Sequence, residues 1–271
     1  PLQDIQRVNN APALKVLENP ELRVIFLGFD QRRDVLPQSS VTDKNPFKDK
    51  RVRQAVYQAI DIQAIKTQIM RGAALPTGAM LARGIQGFAP AMETRLPFDP
   101  AASRRLLAEA GYPNGLDVPM NCPNDRYVND SEICQAVAAN LARVGVRVKL
   151  QAESKTTYFP KGLKRELGFF MLGWSPAGYD AHNLPFTVLA TPKGNQGLWN
   201  FGGYSNPRLD ELTTQIQSEL DPAKRNGLIQ QALGLHAEDI GHVPLHQQTL
   251  SWGMKKSVTL TWLLFVIAAF A

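Results

Sequence analysis

The sequence is poor in the residues that usually build metal and redox sites. Among its 271 residues there are two cysteines and four histidines. A structural zinc site usually takes four ligands, so Cys122 and Cys134 alone are too few for one. In an oxidising compartment the two would form a single disulfide, and elsewhere they would be two unpaired thiols. The sequence leaves both alternatives open.

Long apolar runs and blocks of one charge are also scarce. The apolar C-terminal stretch "TLTWLLFVIAAFA" is shorter than the roughly 20 residues that a membrane span needs. The formal charge is +6, but lysines and arginines are scattered and no nucleic-acid-binding motif accompanies them. The N-terminus lacks both an initiating Met and a signal-peptide pattern. We therefore expect a globular protein without a nucleic-acid partner, beginning as a mature or trimmed piece.

Motifs of catalysis are missing as well. The segment "GWSPAG" (173–178) is not a Gly-x-Ser-x-Gly elbow, and no glycine-rich loop resembles a phosphate cradle. His236, His242 and His246 lie close together with Asp239 between them, but without His-Glu-x-x-His spacing. We therefore expect no enzyme and no cofactor. The alternative hypothesis is a metal-assisted hydrolase that uses these four residues.

Cap residues predict several helices in the middle of the chain. Three helices are expected to begin where an Asx residue precedes proline, at Asp99, Asn206 and Asp221. Asp49 is the expected N-cap of another helix, which the apolar spacing extends to Gly72.

Strands are predicted between the helices. Period-2 alternation indicates strands at 116–120 and 146–150, and an apolar run indicates a buried strand at 167–172. This alternation with helices is typical of an α/β sheet with parallel pairing. In such sheets ligands bind beyond the carboxyl ends of the strands, so we expect a site in the loops 121–130 and 173–183.

Four segments resemble the family 5 extracellular solute-binding proteins of bacterial ABC importers, in the order found in that family. They are "FKDKRVRQAVYQAIDIQAI", "FDPAASRRLLAEAGYPNG", "NFGGYSNPRLDELTTQIQSELDPAKRNGLIQQA" and "DIGHVPLHQQTLSWGMKKSV". Family members are two-lobed clamps that hold a solute between the lobes. The resemblance implies the C-terminal lobe of a type II periplasmic-binding-protein fold, with the N-terminal lobe absent. It also implies a connector from that lobe at 1–45, the solute-binding lobe at 46–250 and an atypical apolar tail at 251–271.

The same resemblance implies a function. The chain would be part of the periplasmic substrate-binding component of an importer for peptides or peptide-like solutes such as dipeptides, oligopeptides, glutathione or nickel chelates. Hinge closure would hold the solute, and the closed clamp would dock on the permease subunits. Since half of the cleft is missing, a folded fragment without binding activity is the second alternative. An exposed inter-lobe face would also favour self-association.

The loop 173–183 carries three candidate ligand contacts. Peptide-binding members of the family often place here an Asp that pairs with the ligand's ammonium, and Asp180 either has that role or caps a turn. The earlier acid of the family pattern is missing, with Ala177 or Gly178 in its place. Trp174 is expected to form an apolar wall of the cleft or to pack in the core. His182 is a further candidate contact.

The remaining candidates lie in two other loops. Arg126 has a planar fork suited to a carboxylate, and its alternative role is a surface or inter-lobe salt bridge. Tyr127 would donate a hydrogen bond or stack on the solute. Trp199 and Asn200 are candidates because the resemblance places their segment near the cleft, whereas Asn206 is expected to be a helix cap.

Overall fold

The computed structural model describes residues 2–259 of the chain. The strands in this range are β1 (Leu14–Phe29), β2 (Ala74–Pro76), β3 (Leu116–Pro123), β4 (Val146–Glu153), β5 (Phe169–Trp174) and β6 (His242–Lys255). The α-helices in the same range are α1 (Ile5–Asn10), α2 (Lys50–Ala59), α3 (Ile62–Ala64), α4 (Pro100–Glu109), α5 (Asp130–Ala142), α6 (Lys155–Leu163), α7 (Pro207–Ser218) and α8 (Pro222–Asp239). None of these helices combines the length and apolar composition needed to cross a membrane.

The strands form one six-stranded sheet in the order β2-β6-β1-β5-β3-β4. β3 pairs in parallel with β4 and β5, which confirms the predicted parallel α/β unit. The strand expected at 167–172 is β5, displaced by two residues along the chain. β1 is antiparallel to both β5 and β6, and β2 is antiparallel to β6. The α/β sheet therefore has a parallel half and an antiparallel half that meet at β1.

β1 is the structural element that the sequence reasoning missed. We expected 1–45 to be a connector, yet this range supplies a strand of 16 residues between β5 and β6. The N-terminal part of β1 (14–20) pairs with 249–255 of β6 in a ribbon that is only partly buried. The expected boundary at 251 thus falls inside β6. Residues 260–271 of the expected tail lie outside the described residues.

The inner half of β1 divides its side chains between two cores. Ile25, Leu27 and Phe29 belong to one core, and Val24 and Phe26 belong to the other. Helices α2, α4 and α5 contribute to the first core, and α6, α7 and α8 contribute to the second. A strand that is buried on both faces has apolar residues at successive positions. Its sequence therefore shows no alternation of apolar and polar residues.

The Asx-Pro helix starts are confirmed. The side chain of Asp99 accepts a hydrogen bond from the Ala102 N–H, and the side chains of Asn206 and Asp221 cap α7 and α8 in the same way. Each carboxylate or amide oxygen satisfies a backbone donor that the helix itself leaves unpaired, while proline at the first position has no N–H to satisfy.

The helix expected to reach Gly72 is interrupted. Asp49 caps α2 as predicted, but α2 ends at Ala59 and Ile60 has an extended backbone. The side chain of Asp61 then accepts a hydrogen bond from the Ala64 N–H and starts α3, which continues into a π-helical turn. A short acidic side chain that can cap a new turn competes with continuation of the first helix.

Cys122 and Cys134 form a disulfide, which decides between the two alternatives left open by the sequence. The bond joins the end of β3 to α5, and both residues are fully buried. It closes the loop that contains Arg126 and Tyr127. Its cross-link therefore constrains the segment expected to bind solute.

We expect the disulfide to contribute roughly 3 kcal/mol to the free energy of unfolding, because it closes a loop whose ends are 12 positions apart. The double substitution Cys122→Ala and Cys134→Ala should lower the unfolding free energy by that amount in urea titrations. A reducing agent added in the unfolded state should destabilise the parent chain and leave the double variant unchanged. Equal stability of parent and variant under oxidising conditions would contradict the assignment.

Candidate functional site

The loop that follows β3 contacts the carboxyl end of β5. The Tyr127 hydroxyl donates a hydrogen bond to the Gly173 carbonyl oxygen at 3.3 Å, and Trp174 is the next residue. Glycine is required at 173, because a Cβ there would lie 2.7 Å from both the Tyr127 ring and the Ile25 side chain. The loop after β3 can approach the end of β5 this closely only because residue 173 has no side chain.

Asp130 holds the loop after β3 in shape. Its buried carboxylate accepts hydrogen bonds from the backbone N–H groups of Arg126 at 2.8 Å, Tyr127 at 2.9 Å and Ser131 at 2.9 Å. Burial raises the pKa of Asp130 although these hydrogen bonds act in the opposite direction. Together with the disulfide, this carboxylate fixes the backbone from which the Arg126 and Tyr127 side chains project.

Two arginines lie against the Tyr127 ring. The guanidinium carbons of Arg126 and Arg23 lie 5.2 Å and 5.8 Å from its centroid. Arg23 is paired with Glu21 at 2.5 Å, whereas Arg126 has no ion pair with any described residue. Burial raises the pKa of Tyr127, so its hydroxyl remains a donor at neutral pH. Sequence reasoning missed Arg23 and Glu21 because it assigned their segment to a connector.

The aromatic side chains around Trp174 and Trp199 pack against the second core, whereas Tyr127 lies in the first. The Trp174 and Trp199 rings are 5.5 Å apart, and Trp199 stacks on Phe201 at 5.4 Å and meets Phe159 edge-on at 5.7 Å. Both tryptophans are half-buried, and the Trp174 indole N–H donates to the Asn183 side chain at 3.1 Å. Trp174 therefore packs against the core and keeps part of its ring accessible. This position is compatible with both roles expected from the sequence, core packing and an apolar wall of the cleft.

Asp180 is already paired within the chain. Its two carboxylate oxygens accept hydrogen bonds from the Arg225 guanidinium at 2.8 Å and 2.9 Å, and one also accepts from the His182 N–H at 2.9 Å. Burial by itself raises the pKa of Asp180, but the hydrogen bonds from Arg225 and His182 outweigh it and hold the pKa below its ordinary value. The contacts connect the loop after β5 to the first turn of α8.

His182 and Asn200 have surroundings unlike those of the two tryptophans. The His182 ring stacks on Phe186 at 5.4 Å, and burial lowers its pKa. Asn200 is fully buried, and its amide group donates to the carbonyls of Ala190 and Tyr204 and accepts from the Tyr204 N–H. Asn200 therefore holds its own loop together and has no surface to offer a solute.

The four residues of the hydrolase hypothesis do not form a metal site. His236 Nε2 and His242 Nδ1 are hydrogen-bonded to each other at 2.8 Å, and the Asp239 carboxylate accepts from Tyr204 and Asn206. Within residues 2–259 no group of three or more His, Cys, Asp or Glu side chains is arranged to hold a metal ion. The geometry thus argues against the metal-assisted hydrolase.

We expect the pairing of Asp180 with Arg225 to contribute about 0.5–1 kcal/mol, since the Asp180 side chain is 54% exposed and is screened by solvent. A double-mutant cycle with Asp180→Asn and Arg225→Gln should measure this coupling at pH 7. Because the pKa of Asp180 is lower in the folded chain, the coupling should persist above about pH 4 and disappear as the carboxylate is protonated at lower pH. A coupling of zero at pH 7 would contradict this pairing.

His246 should make the chain sensitive to mild acid. It is fully buried, neither ring nitrogen has a partner, and burial lowers its pKa to about 4. The unfolded chain takes up this proton near pH 6.5, so the unfolding free energy should be constant above that pH. Between about pH 6.5 and pH 4, His246 alone should lower it by up to about 3 kcal/mol, and the buried His236 and His242, whose pKa values are also lowered, should add to the loss.

Urea titrations at pH 7.0, 5.5 and 4.5 test this expectation. The variant His246→Leu should show a smaller loss of unfolding free energy across the same interval, whatever its stability at pH 7. An unchanged pH dependence in the variant would rule out His246 as the responsible group.

Comparisons with known proteins match the chain to one family. The model described as "Bacterial extracellular solute-binding proteins, family 5 Middle" matches residues 1–196. Heme-binding protein A of Haemophilus influenzae is 27% identical over 232 residues, which are 84% of this chain and 40% of that protein. Glutathione-binding protein GsiB of Escherichia coli is 27% identical over 233 residues, which are 83% and 44% of the two chains. The chain therefore spans less than half the length of these relatives.

Solved structures show the same fold. The periplasmic binding protein DppA of Helicobacter pylori, in complex with the peptide STSA, superposes with a TM-score of 0.83 at 20% identity, covering 95% of this chain and 48% of that one. The dipeptide binding protein of a Pseudoalteromonas species, in complex with Met-Leu, has a TM-score of 0.81 at 22% identity, covering 94% and 48%. The fold is that of one lobe of a type II periplasmic binding protein, and the chain belongs to the bacterial extracellular solute-binding proteins of family 5.

Proposed function

We propose that the chain forms one face of the solute-binding cleft in the binding protein of a bacterial ABC importer for peptides or peptide-like solutes. The observation that carries the proposal is that Tyr127, next to Arg126, is hydrogen-bonded to Gly173, next to Trp174, which in turn contacts Trp199. We name Arg126, Tyr127, Trp174 and Trp199, near the carboxyl ends of β3 and β5, the strand-end cluster. Relatives named for heme, glutathione and peptide binding support a role in binding rather than in catalysis.

The strand-end cluster suits an amphipathic acid. The Arg126 guanidinium has no ion pair among the described residues, and its fork matches a carboxylate. Trp174 and Trp199 offer partly exposed ring surface for an apolar group. A peptide with a free C-terminus and an apolar side chain combines both features, and each part would be held by a chemically matching surface.

Closure of a second lobe would complete the site. The ribbon formed by residues 14–20 and 249–255 leaves the sheet as a partly exposed pair of strands, a suitable route to another lobe. A solute that contacts both lobes binds the closed state better than the open one and so shifts the hinge equilibrium. In this proposal the closed protein docks on permease subunits from the periplasm.

The domain division follows from the same proposal. The segment 1–45 would then be both a connector and the source of β1, and the solute-binding lobe would continue past 250 to the end of β6. The face turned toward the other lobe would also be the surface through which isolated copies of this chain self-associate. The remaining alternative is a folded lobe that binds no solute on its own.

Substitutions in the strand-end cluster test the proposal. For a dipeptide with an aromatic C-terminal residue, Arg126→Gln should weaken binding roughly 10- to 150-fold, since a charge-assisted hydrogen bond contributes about 1.5–3 kcal/mol. Trp174→Ala should weaken it by a similar factor through lost apolar contact. Isothermal titration calorimetry measures both effects.

The matched control is Arg208→Gln, which removes an exposed arginine that pairs with Glu211 on α7. It should leave the affinity unchanged. Absence of binding to any dipeptide by the folded parent chain would favour the alternative of a lobe without binding activity. Equal affinities of parent and both cluster variants would show that the solute binds elsewhere.

A further inference from the structure

A cavity of about 520 Å³ lies between α8, the start of β6 and the segment 78–96 that follows β2. We name it the α8 cavity. Its wall includes Tyr57, Met80, Met92, Arg95, Leu233 and His242. Among the described residues, the wall includes no member of the strand-end cluster, so the two places are separate. A cavity of this volume suits a small organic molecule.

Arg95 brings a positive charge to this wall without a carboxylate partner. Its Nη1 donates to the carbonyl oxygens of Thr77, at 2.8 Å, and of Pro244, and its guanidinium carbon lies 4.7 Å from the Tyr57 ring centroid. Within residues 2–259 Arg95 makes no ion pair, and its Nε and Nη2 groups have no hydrogen-bond partner. Burial lowers the pKa of Arg95, but a guanidinium stays protonated at neutral pH. A partly buried cation without a counterion attracts an anion more strongly than the same cation does in bulk water.

Two buried histidines add hydrogen-bonding capacity to the same wall. His236 and His242 share one hydrogen bond at 2.8 Å, and burial lowers the pKa of both, so the pair is neutral at pH 7. A neutral pair joined by one N–H keeps a second N–H and a second lone pair, whichever tautomers are present. In the described part of the chain neither His236 Nδ1 nor His242 Nε2 has a hydrogen-bond partner. One of these nitrogens can therefore donate to an anion.

The rest of the wall is largely apolar. Met80, Met92 and Leu233 contribute flexible or branched apolar side chains, and methionine adapts readily to the shape of a ligand. Glu238 also lines the cavity, but its side chain is exposed to solvent and lies beyond ion-pair distance of Arg95. An apolar wall with one uncompensated cation matches a molecule that has an apolar body and a single carboxylate.

We propose that the α8 cavity is a second binding site, which takes an apolar monocarboxylate. The carboxylate pairs with Arg95, and the apolar body packs on Met80, Met92 and Leu233. A second charge on the ligand would be buried against this apolar surface without a partner, which disfavours dicarboxylates. The proposal goes beyond the function proposed above and does not depend on it.

Three probes separate charge from apolar contact in calorimetric titrations of the chain at pH 7. They are decanoate, decyltrimethylammonium and acetate, each kept below the concentration at which micelles form. Decanoate should bind at least about tenfold more tightly than either of the others, because only decanoate combines the chain with the negative charge. Arg95→Gln should remove this advantage over the cation, and Arg95→Lys should retain part of it. Glu238→Gln should bind decanoate at least as tightly as the parent chain.

A glycine in the wall provides a variant that should fold well. Gly234 lies on the face of α8 that lines the cavity, and a Cβ there would meet no atom within 4 Å. Gly234→Leu should therefore fill part of the cavity and abolish decanoate binding, while removing a glycine from a helix interior favours the helix. The matched control is Gly227→Leu, on the same helix and with the same open space, but in a separate surface groove. It should leave the affinity for decanoate unchanged.

Several outcomes would overturn the proposal. Failure of the folded parent chain to bind decanoate would do so, as would equal binding of decanoate and decyltrimethylammonium. Unchanged affinity in Gly234→Leu would show that decanoate binds outside the cavity. Loss of decanoate binding in Arg126→Gln would place the carboxylate at the strand-end cluster instead. None of these results would affect the peptide titrations that test the function proposed above.

Discussion

The structure depends on the pairing of β1 with strands on both of its sides. Its inner half joins β5 of the parallel half to β6 of the antiparallel half, and its alternating side chains belong to two separate cores. Removing this strand would separate β2 and β6 from β5, β3 and β4 and would expose an unpaired edge on each part. The same strand continues into the ribbon with β6, through which we propose that the chain connects to a second lobe.

The strand-end cluster lies on loops whose backbone is held in place by buried contacts. Gly173 allows the Tyr127 ring to approach the end of β5, and Asp130 and the disulfide hold the backbone that carries Arg126. These supports are buried, and so is Tyr127, whereas Arg126, Trp174 and Trp199 are partly exposed. Preorganisation of this kind lowers the entropy that binding must remove from the protein, and it leaves specificity to the few side chains that project from the frame.

The charge of Asp180 is compensated within the chain. Asp180 lies in the loop that the family resemblance marks as a ligand-binding segment, but its carboxylate is bonded to Arg225. An acid that is fully engaged within the protein stabilises its own loop and presents little attraction to a cationic solute. Burial removes the charge of a histidine in the core. It lowers the pKa of His246 to about 4, so the ring is neutral at physiological pH and can pack among apolar side chains.

The sequence alone was sufficient to predict the α/β class, the parallel unit of β3, β4 and β5, and the helix starts at Asp99, Asn206 and Asp221. These features depend on local chemistry, because capping and apolar periodicity involve residues a few positions apart. The sequence also placed the loops after β3 and β5 at one edge, since the carboxyl ends of parallel strands meet there.

Tertiary structure decided the rest. The role of β1 depends on strands that lie half the chain or more away, and its two-sided burial erased the alternation that would have marked it as a strand. The bond between Cys122 and Cys134, the pairing of Asp180 with Arg225 and the burial of Asn200 each depend on where distant segments come together. A residue's type limits which contacts it can make. Only the folded chain determines which partner it contacts and whether its charge is paired within the protein.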